Sequence, residues 1–216
     1  MNNAPSAIKA IIVALALVAI PSSALDLSAG AKFGMNVSSI LGDTAKGVSP
    51  KVGLTGGVFS TVWVTPIIYV QPELMLSLMG ESSDTDQNVF NPPNATNLAY
   101  TEIPVIVGWK FLSHDLYQAS IYVGAVPSFL LMAQSVYGGG AGSIDMKNKT
   151  KSFDCGLTGG ATVAIKSNSA FVPIDIRYYL GMVPFNNDKN YPLNNAAVSL
   201  TIGFGSEIKF KKEEKF

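Results

Sequence analysis

The chain has 216 residues, and its 15 basic and 15 acidic residues cancel, so that only 14% of the chain is charged against about 25% in an ordinary soluble domain. Balanced charge without a long basic run excludes a typical nucleic-acid-binding surface, and 48% hydrophobic residues exclude an intrinsically disordered chain. A single cysteine and a single histidine allow neither an internal disulfide nor a histidine-based metal cluster, so no cofactor is predicted.

Residues 1–24 have the pattern of a secretory signal peptide. Lys9 is their only charged residue, an apolar stretch runs from Ala10 to Ile20, and small residues follow it. We predict cleavage after Ala24 and a single mature domain over residues 25–216. A short N-terminal helix of a cytosolic protein is the alternative interpretation.

From Leu25 onward apolar residues recur at every second position, which is the period of a β-strand. In 67–80, for example, Leu74 and Leu76 share an apolar face, and Glu73 lies on the other. These strands exceed the roughly 5–6 residues usual in soluble proteins and suit the roughly 9–11 residues that a tilted strand needs to cross a bilayer. The pattern predicts eight strands, at 25–37, 51–64, 67–80, 100–111, 119–134, 152–165, 171–182 and 196–210.

The connections between these strands alternate between long and short. The short ones are 65–66, 112–118 and 166–170, and the long ones are 38–50, 81–99, 135–151 and 183–195. Such alternation is typical of an up-and-down barrel in a bacterial outer membrane with both termini in the periplasm. We therefore predict an all-β fold, an eight-stranded antiparallel up-and-down transmembrane β-barrel.

The polar face of the predicted strands consists mainly of small residues such as Gly53, Thr55, Gly156 and Thr158. In a soluble barrel that face meets water and is usually rich in charged residues. Eight strands enclose just enough space for side chains, so we expect a side-chain-filled lumen and not an aqueous pore. A small soluble ligand-binding barrel is the alternative.

Five charged residues lie in mid-strand on this inward face, and we predict that they form a lumen charge network bridging opposite walls. Charges in a low-dielectric interior are costly unless they are paired, and both signs are present. The alternative is that Glu73 and Glu102 form a catalytic acid–base pair. The residues of the predicted network are Lys32, Glu73, Glu102, Asp175 and Arg177.

Aromatic residues lie at strand ends that are periplasmic in this topology and predict an aromatic girdle at the membrane interface. Two of them, Trp63 and Phe171, have inward parity, so the girdle is predicted from their position at the strand ends alone. The predicted girdle comprises Trp63, Trp109, Phe111, Phe171 and Phe210.

Six segments, spread over nearly all of the predicted mature domain, match the motifs of a known protein family in their order and spacing. They are 30–38, 53–59, 70–80, 100–106, 121–127 and 174–181, with the motifs Gln-Pro-Glu at 71–73 and Glu-Ile-Pro at 102–104 the most specific. Together they resemble the PorT-like outer-membrane β-barrel family of Bacteroidetes. The resemblance implies a barrel folded by the outer-membrane assembly machinery, with a role in the secretion and surface-attachment system of that phylum.

The tail 211–216 departs from the family pattern, in which the chain ends at an aromatic residue closing the last strand. Either Phe210 or Phe216 is therefore the candidate signal for the assembly machinery.

We expect an integral outer-membrane protein without enzymatic activity that has a structural or interaction role through its long loops. Its expected partners are outer-membrane lipid, the assembly machinery and secretion-system components. The alternative is a lipid-modifying enzyme of the lipid A deacylase type, which would need a serine, a histidine and an acid in a relay. Its candidates, Ser113, His114 and Asp115, lie in the connection 112–118.

Overall fold

The computed structural model describes residues 26–42, 48–83, 95–137, 142–186 and 192–208. The predicted signal peptide, Phe210 and the C-terminal tail lie outside the described residues. No helix in these ranges is long and apolar enough to cross a membrane. The strands are β1 (Asp26–Leu41), β2 (Val48–Trp63), β3 (Ile68–Ser83), β4 (Ala95–Glu102), β5 (Val105–Ser113), β6 (Tyr117–Tyr137), β7 (Gly142–Asp145), β8 (Phe153–Ser167), β9 (Ala170–Gly181) and β10 (Asn194–Ile208), with a 3-10 turn at Lys147–Lys149.

The strands form a closed antiparallel barrel. Each strand pairs antiparallel with the strands beside it in the wall, and β1 pairs with both β2 and β10, so the first and last strands close the sheet. We call each strand position around the barrel wall a stave. Strands β4 and β5 follow one another along a single stave between β3 and β6, and the short strand β7 pairs only with β6. The barrel wall therefore has eight staves, and the predicted fold is confirmed.

The fourth stave departs from its predicted continuous strand at Ile103 and Pro104. Proline has no N–H to donate to the sheet ladder. The ladder is bridged there by other bonds: Glu73 N–H donates to the Pro104 carbonyl at 2.9 Å, and Ile103 N–H donates to the Pro127 carbonyl at 2.8 Å. The wall stays hydrogen-bonded through the interruption.

The two ends of the barrel differ in their connections. At one end, the turn end, the connections are the tight turns 64–67, 114–116 and 168–169. Thr65 Oγ1 accepts the N–H of Ile68 at 2.9 Å in the first turn, and Asn168 has a φ of 54° in the third, a conformation that Asn tolerates better than most residues. We call the opposite end, where the longer connections lie, the loop end.

The two faces of the wall are separated by polarity. Outward side chains such as those of Phe33 and Leu76 are apolar and exposed, at 70% and 59%. Inward residues such as Thr55, Ser77 and Thr158 are polar and buried. This arrangement is the reverse of a soluble protein and suits a wall surrounded by acyl chains.

An arginine on the outward face should destabilise the barrel according to its depth. Leu76→Arg, in mid-strand, should lower the free energy of unfolding by about 2–4 kcal/mol, since a charged side chain must then lie near the bilayer midplane. Leu41→Arg is the matched control: Leu41 is also outward, 45% exposed, but ends β1 at the loop end, where the expected cost is about 0–1 kcal/mol. Urea unfolding in lipid vesicles measures both, and equal costs would contradict the membrane-facing assignment.

Candidate functional site in the barrel interior

The interior is organised around the carboxylate of Glu73 on β3. Arg177, on β9, donates to both of its oxygens at 2.9 Å, and Lys32 Nζ, on β1, donates to Oε1 at 2.7 Å. The Glu73 side chain is fully buried. Bidentate, charge-assisted bonds of this kind are the strongest hydrogen bonds a protein makes. They tie three staves together through the lumen.

A second carboxylate, Asp175, balances the remaining charge. Its Oδ1 lies 3.5 Å from Arg177 Nε and 3.9 Å from Lys32 Nζ. Its Oδ2 accepts hydrogen bonds from the Tyr122 hydroxyl at 2.7 Å and from Thr162 Oγ1 at 2.8 Å. Arg177 Nε also donates to the Tyr122 hydroxyl at 3.0 Å. Two cations and two anions thus form one neutral buried cluster, the Glu73 cluster.

Glu102 does not join this cluster, contrary to the prediction. Its Oε2 accepts a hydrogen bond from Ser77 Oγ at 3.0 Å, and Ser77 Oγ is 2.9 Å from Thr55 Oγ1. No cationic nitrogen of the described residues lies within 4.0 Å of it. Glu102 lies opposite Met75 in the sheet register, and the hydroxyl that donates to it comes from Ser77 on the neighbouring strand β3. The structure brings together four of the five predicted residues.

A fourth buried acid, Asp154, is absent from the predicted network and is 1% exposed. Its Oδ2 accepts hydrogen bonds from the Tyr179 hydroxyl at 3.0 Å and from Asn195 Nδ2 at 3.3 Å. Asn195 Nδ2 also lies 3.2 Å from the Tyr100 hydroxyl. Asp154 lies on the same inward face of its strand as Gly156 and Thr158. That parity is the sequence feature from which its burial could have been predicted.

Glycines on neighbouring strands provide room for the large inward side chains. Lys32 lies between Gly57 and Gly203 in the sheet register, and Arg177 is opposite Gly160. A Cβ at Gly160 would collide with the ring of Tyr122. The same relation holds for Phe59 over Gly30, Tyr69 over Gly108, Phe171 over Gly205 and Tyr179 over Gly156.

Aromatic rings fill the lumen at the turn end. The rings of Trp63 and Tyr69 are 5.0 Å apart between centroids, and Lys110 Nζ lies 4.5 Å from the Trp63 centroid. Phe59 and Phe171 are 6.3 Å apart. Aromatic side chains therefore close the interior at this end.

The predicted girdle is only partly outward. Trp109 and Phe111 are exposed on the outer face, with ring centroids 6.2 Å apart. Trp63 and Phe171 were wrongly assigned to a girdle, because their inward parity directs them into the lumen, where they pack as just described. Phe210 lies outside the described residues.

A hydrophobic cluster closes the lumen at the loop end. Between the cluster and the aromatic rings, the polar middle of the lumen contains a cavity of about 20 Å³, room for a water molecule. Within the described ranges, the interior is filled as predicted. The cluster consists of Ile40, Met79, Leu98, Tyr100, Val126, Leu130, Ala133, Tyr179, Phe185 and Ala197.

The candidate relay of the enzymatic alternative lies in an exposed turn. His114 Nδ1 accepts the N–H of Leu116 at 3.4 Å, and its ring stacks on Tyr117 with centroids 5.0 Å apart. These are local contacts within an exposed turn, and neither of them joins His114 to Ser113 or Asp115. No group of three or more potential metal ligands occurs in the described ranges.

Removing charge from the two buried glutamates should have unequal effects. Glu73→Gln leaves the two buried cations Lys32 and Arg177 with one anion, Asp175, and should lower the free energy of unfolding by about 3–5 kcal/mol. Glu102→Gln keeps a hydrogen-bond acceptor for Ser77 and removes no ion pair, so a loss of about 1 kcal/mol or less is expected. Urea unfolding in vesicles compares the two, and a larger loss for Glu102→Gln would contradict this assignment of roles.

Comparison with known proteins supports the same fold. Residues 21–187 match the family model of the outer membrane protein beta-barrel domain. A search of curated proteins finds no significant sequence match. Among solved structures, Neisserial surface protein A (NspA) is 11% identical, with 84% of this chain and 97% of that chain covered and a TM-score of 0.53. The outer membrane protein OprG from Pseudomonas aeruginosa is also 11% identical, with 86% and 96% covered and a TM-score of 0.53.

At this identity the structural likeness shows the fold alone, whereas the family match covers most of the chain. The closed wall, the apolar outer face and the family match agree, and the chain belongs to the family of the outer membrane protein beta-barrel domain, a barrel of the bacterial outer membrane.

Proposed function

We propose that this protein is a non-conducting, non-enzymatic outer-membrane barrel that acts by presenting its loop end to partners. The observation that supports the proposal is the filled interior. The Glu73 cluster spans the lumen in mid-barrel, and both of its cations, Lys32 and Arg177, are bonded to Glu73 at 2.7–2.9 Å. A permeating solute would have to separate buried opposite charges, which is strongly unfavourable.

Side chains also block the lumen at both of its ends. The hydrophobic cluster includes Phe185, from the loop end, and the rings of Trp63 and Phe171 occupy the turn end. The cavity between them has the volume of a water molecule and not of a solute. The proposed role therefore does not include a pore.

The geometry of Glu73 also argues against acid–base catalysis in the lumen. Its Oε1 accepts hydrogen bonds from Lys32, Gln71 and Arg177, and its Oε2 accepts one from Arg177. A general base needs a free lone pair directed at a substrate proton. Both oxygens of this carboxylate already accept hydrogen bonds from buried side chains of the barrel.

The described part of the loop end is held together by backbone hydrogen bonds. Met146 N–H donates to the Ala133 carbonyl at 2.9 Å, Lys151 N–H donates to the Phe185 carbonyl at 2.6 Å, and Thr150 forms a β-bridge with Asn186. Pre-organised surfaces bind partners with less loss of conformational entropy. In our proposal both termini are periplasmic, and this end faces outward from the cell.

Participation in protein secretion and surface attachment is a further part of the proposal. It is supported by the resemblance of the segments named above to PorT-like barrels. Two of those segments supply interior residues, Glu73 and Glu102, so the resemblance concerns the barrel more directly than its partners.

The purified full-length protein should form no steady ion channel in planar lipid bilayers. The reason is that its lumen is occupied from end to end, and a porin reconstituted in the same lipid is the positive control. Reproducible single-channel steps from the wild-type protein, scaling with salt concentration, would contradict the proposed non-conducting barrel.

Deletion of the gene should leave surface-destined proteins in the periplasm if the barrel serves secretion. Fractionation of the deletion strain and quantitative proteomics of its surface and periplasm would measure this. Complementation with the wild-type gene is the control. An unchanged distribution of surface proteins would contradict the secretion role while leaving the barrel assignment intact.

A further inference from the structure

We propose that Lys147, Lys149 and Lys151 at the loop end form a binding site for the phosphate groups of a membrane lipid headgroup. The three lysines alternate in a single short segment of a chain that is poor in charge overall. Segment 142–151 contains three lysines against one acid, Asp145. We call these three residues the lysine platform.

The ammonium groups of the platform form no ion pair with the described residues. No carboxylate oxygen in the described ranges lies within 4.0 Å of them. Asp145 accepts the backbone N–H of Lys147 at 2.8 Å through Oδ1, which commits that oxygen to the turn and not to a lysine ammonium. The platform therefore has cationic charge available for an external anion.

The segment that carries the lysines is held in place by the barrel. Thr150 is buried, its Oγ1 donates to the Met146 carbonyl at 2.9 Å, and Met146 packs against the hydrophobic cluster. The 3-10 turn between them places Lys147 and Lys149 on the exposed side. Because the backbone is fixed, the lysines present charge at a defined position.

That position lies just beyond the membrane-spanning part of the wall. On β8 the outward residues from Phe153 to Ile165 include no charged side chain. At a rise of about 3.3 Å per residue and a tilt of about 45° this column covers about 28 Å along the membrane normal, close to the thickness of a hydrocarbon core. Lys151 precedes the column directly and so lies at headgroup depth.

The neighbouring side chains suit a lipid more than a free anion. Lys147 Nζ donates to the carbonyl of Leu131 at 3.2 Å. The side chain of Leu131 points outward and is 51% exposed. Ile144, on β7, is 53% exposed, and Phe153 is exposed on the same face. Apolar surface for acyl chains thus adjoins cations for phosphate, a combination typical of anionic-lipid sites.

Lipid binding to the full-length protein in detergent micelles tests the proposal, with diphosphoryl lipid A as the probe and native mass spectrometry as the measurement. Removing all three charges (K147Q/K149Q/K151Q) should weaken binding by roughly a hundredfold, or about fivefold for each lysine. The charge-conserving variant K147R/K149R/K151R should bind like the wild type. The matched control is Lys166→Gln, a lysine at the turn end, which should have no effect on binding.

The source of the phosphate is tested in the same assay. The dephosphorylated lipid should bind the wild type as weakly as diphosphoryl lipid A binds the triple glutamine variant, and 10-fold molar excess of inorganic phosphate over lipid should not displace the lipid. Wild-type affinity in the triple glutamine variant, or an equal loss in Lys166→Gln, would overturn the platform. Displacement by inorganic phosphate would overturn the lipid headgroup as its ligand.

Discussion

The structure depends on one buried interaction, the three-way contact of Glu73 with Arg177 and Lys32. The paired residues are far apart in the chain, since the residue numbers of Glu73 and Arg177 differ by 104 and those of Glu73 and Lys32 differ by 41. A buried charge without a partner is strongly unfavourable, so the wall must bring these three staves into a register that satisfies it. A slip of one residue would turn Lys32 or Arg177 toward lipid.

The value of the cluster therefore lies more in specifying the register than in stabilising the barrel against an apolar alternative. Well-packed apolar residues can replace buried ion pairs without loss of stability. An apolar lumen, however, would give both faces of each strand the same polarity and would remove the signal that distinguishes inside from outside. The polar, glycine-rich interior keeps that distinction along the whole wall.

The interior and the loop end have separate roles in this view. The wall and the Glu73 cluster account for the fold, which is shared with barrels that are 11% identical in sequence. Function within a shared fold resides in the groups that are placed on it. Here the described part of the loop end combines a fixed backbone, the hydrophobic cluster beneath it and the lysine platform at its edge, and we propose that recognition and lipid contact are properties of that end.

The sequence by itself predicted the eight-stranded wall, its antiparallel order and the inward or outward parity of its side chains, because alternation with a period of two is a local property of the chain. It did not predict the short strand β7 or the break between β4 and β5. It also placed Lys32, Glu73, Asp175 and Arg177 inside. Only the tertiary structure decided which of the inward charges meet: Glu102 finds a serine hydroxyl, and Asp154, near a predicted loop, finds Tyr179 and Asn195.

The same limit explains the errors at the barrel ends. Trp63 and Phe171 lie at strand ends, where a girdle is expected. Trp63 instead packs inside on its register partner Tyr69, and Phe171 packs on Phe59, which lies beyond β10 and β1 in the wall. Phe185, in a connection that was predicted to be a loop, reaches a cluster assembled from several staves. Local periodicity contains no information about the partners of Phe171 and Phe185. The contact of Phe171 with Phe59, for example, depends on closure of the barrel by β1 and β10.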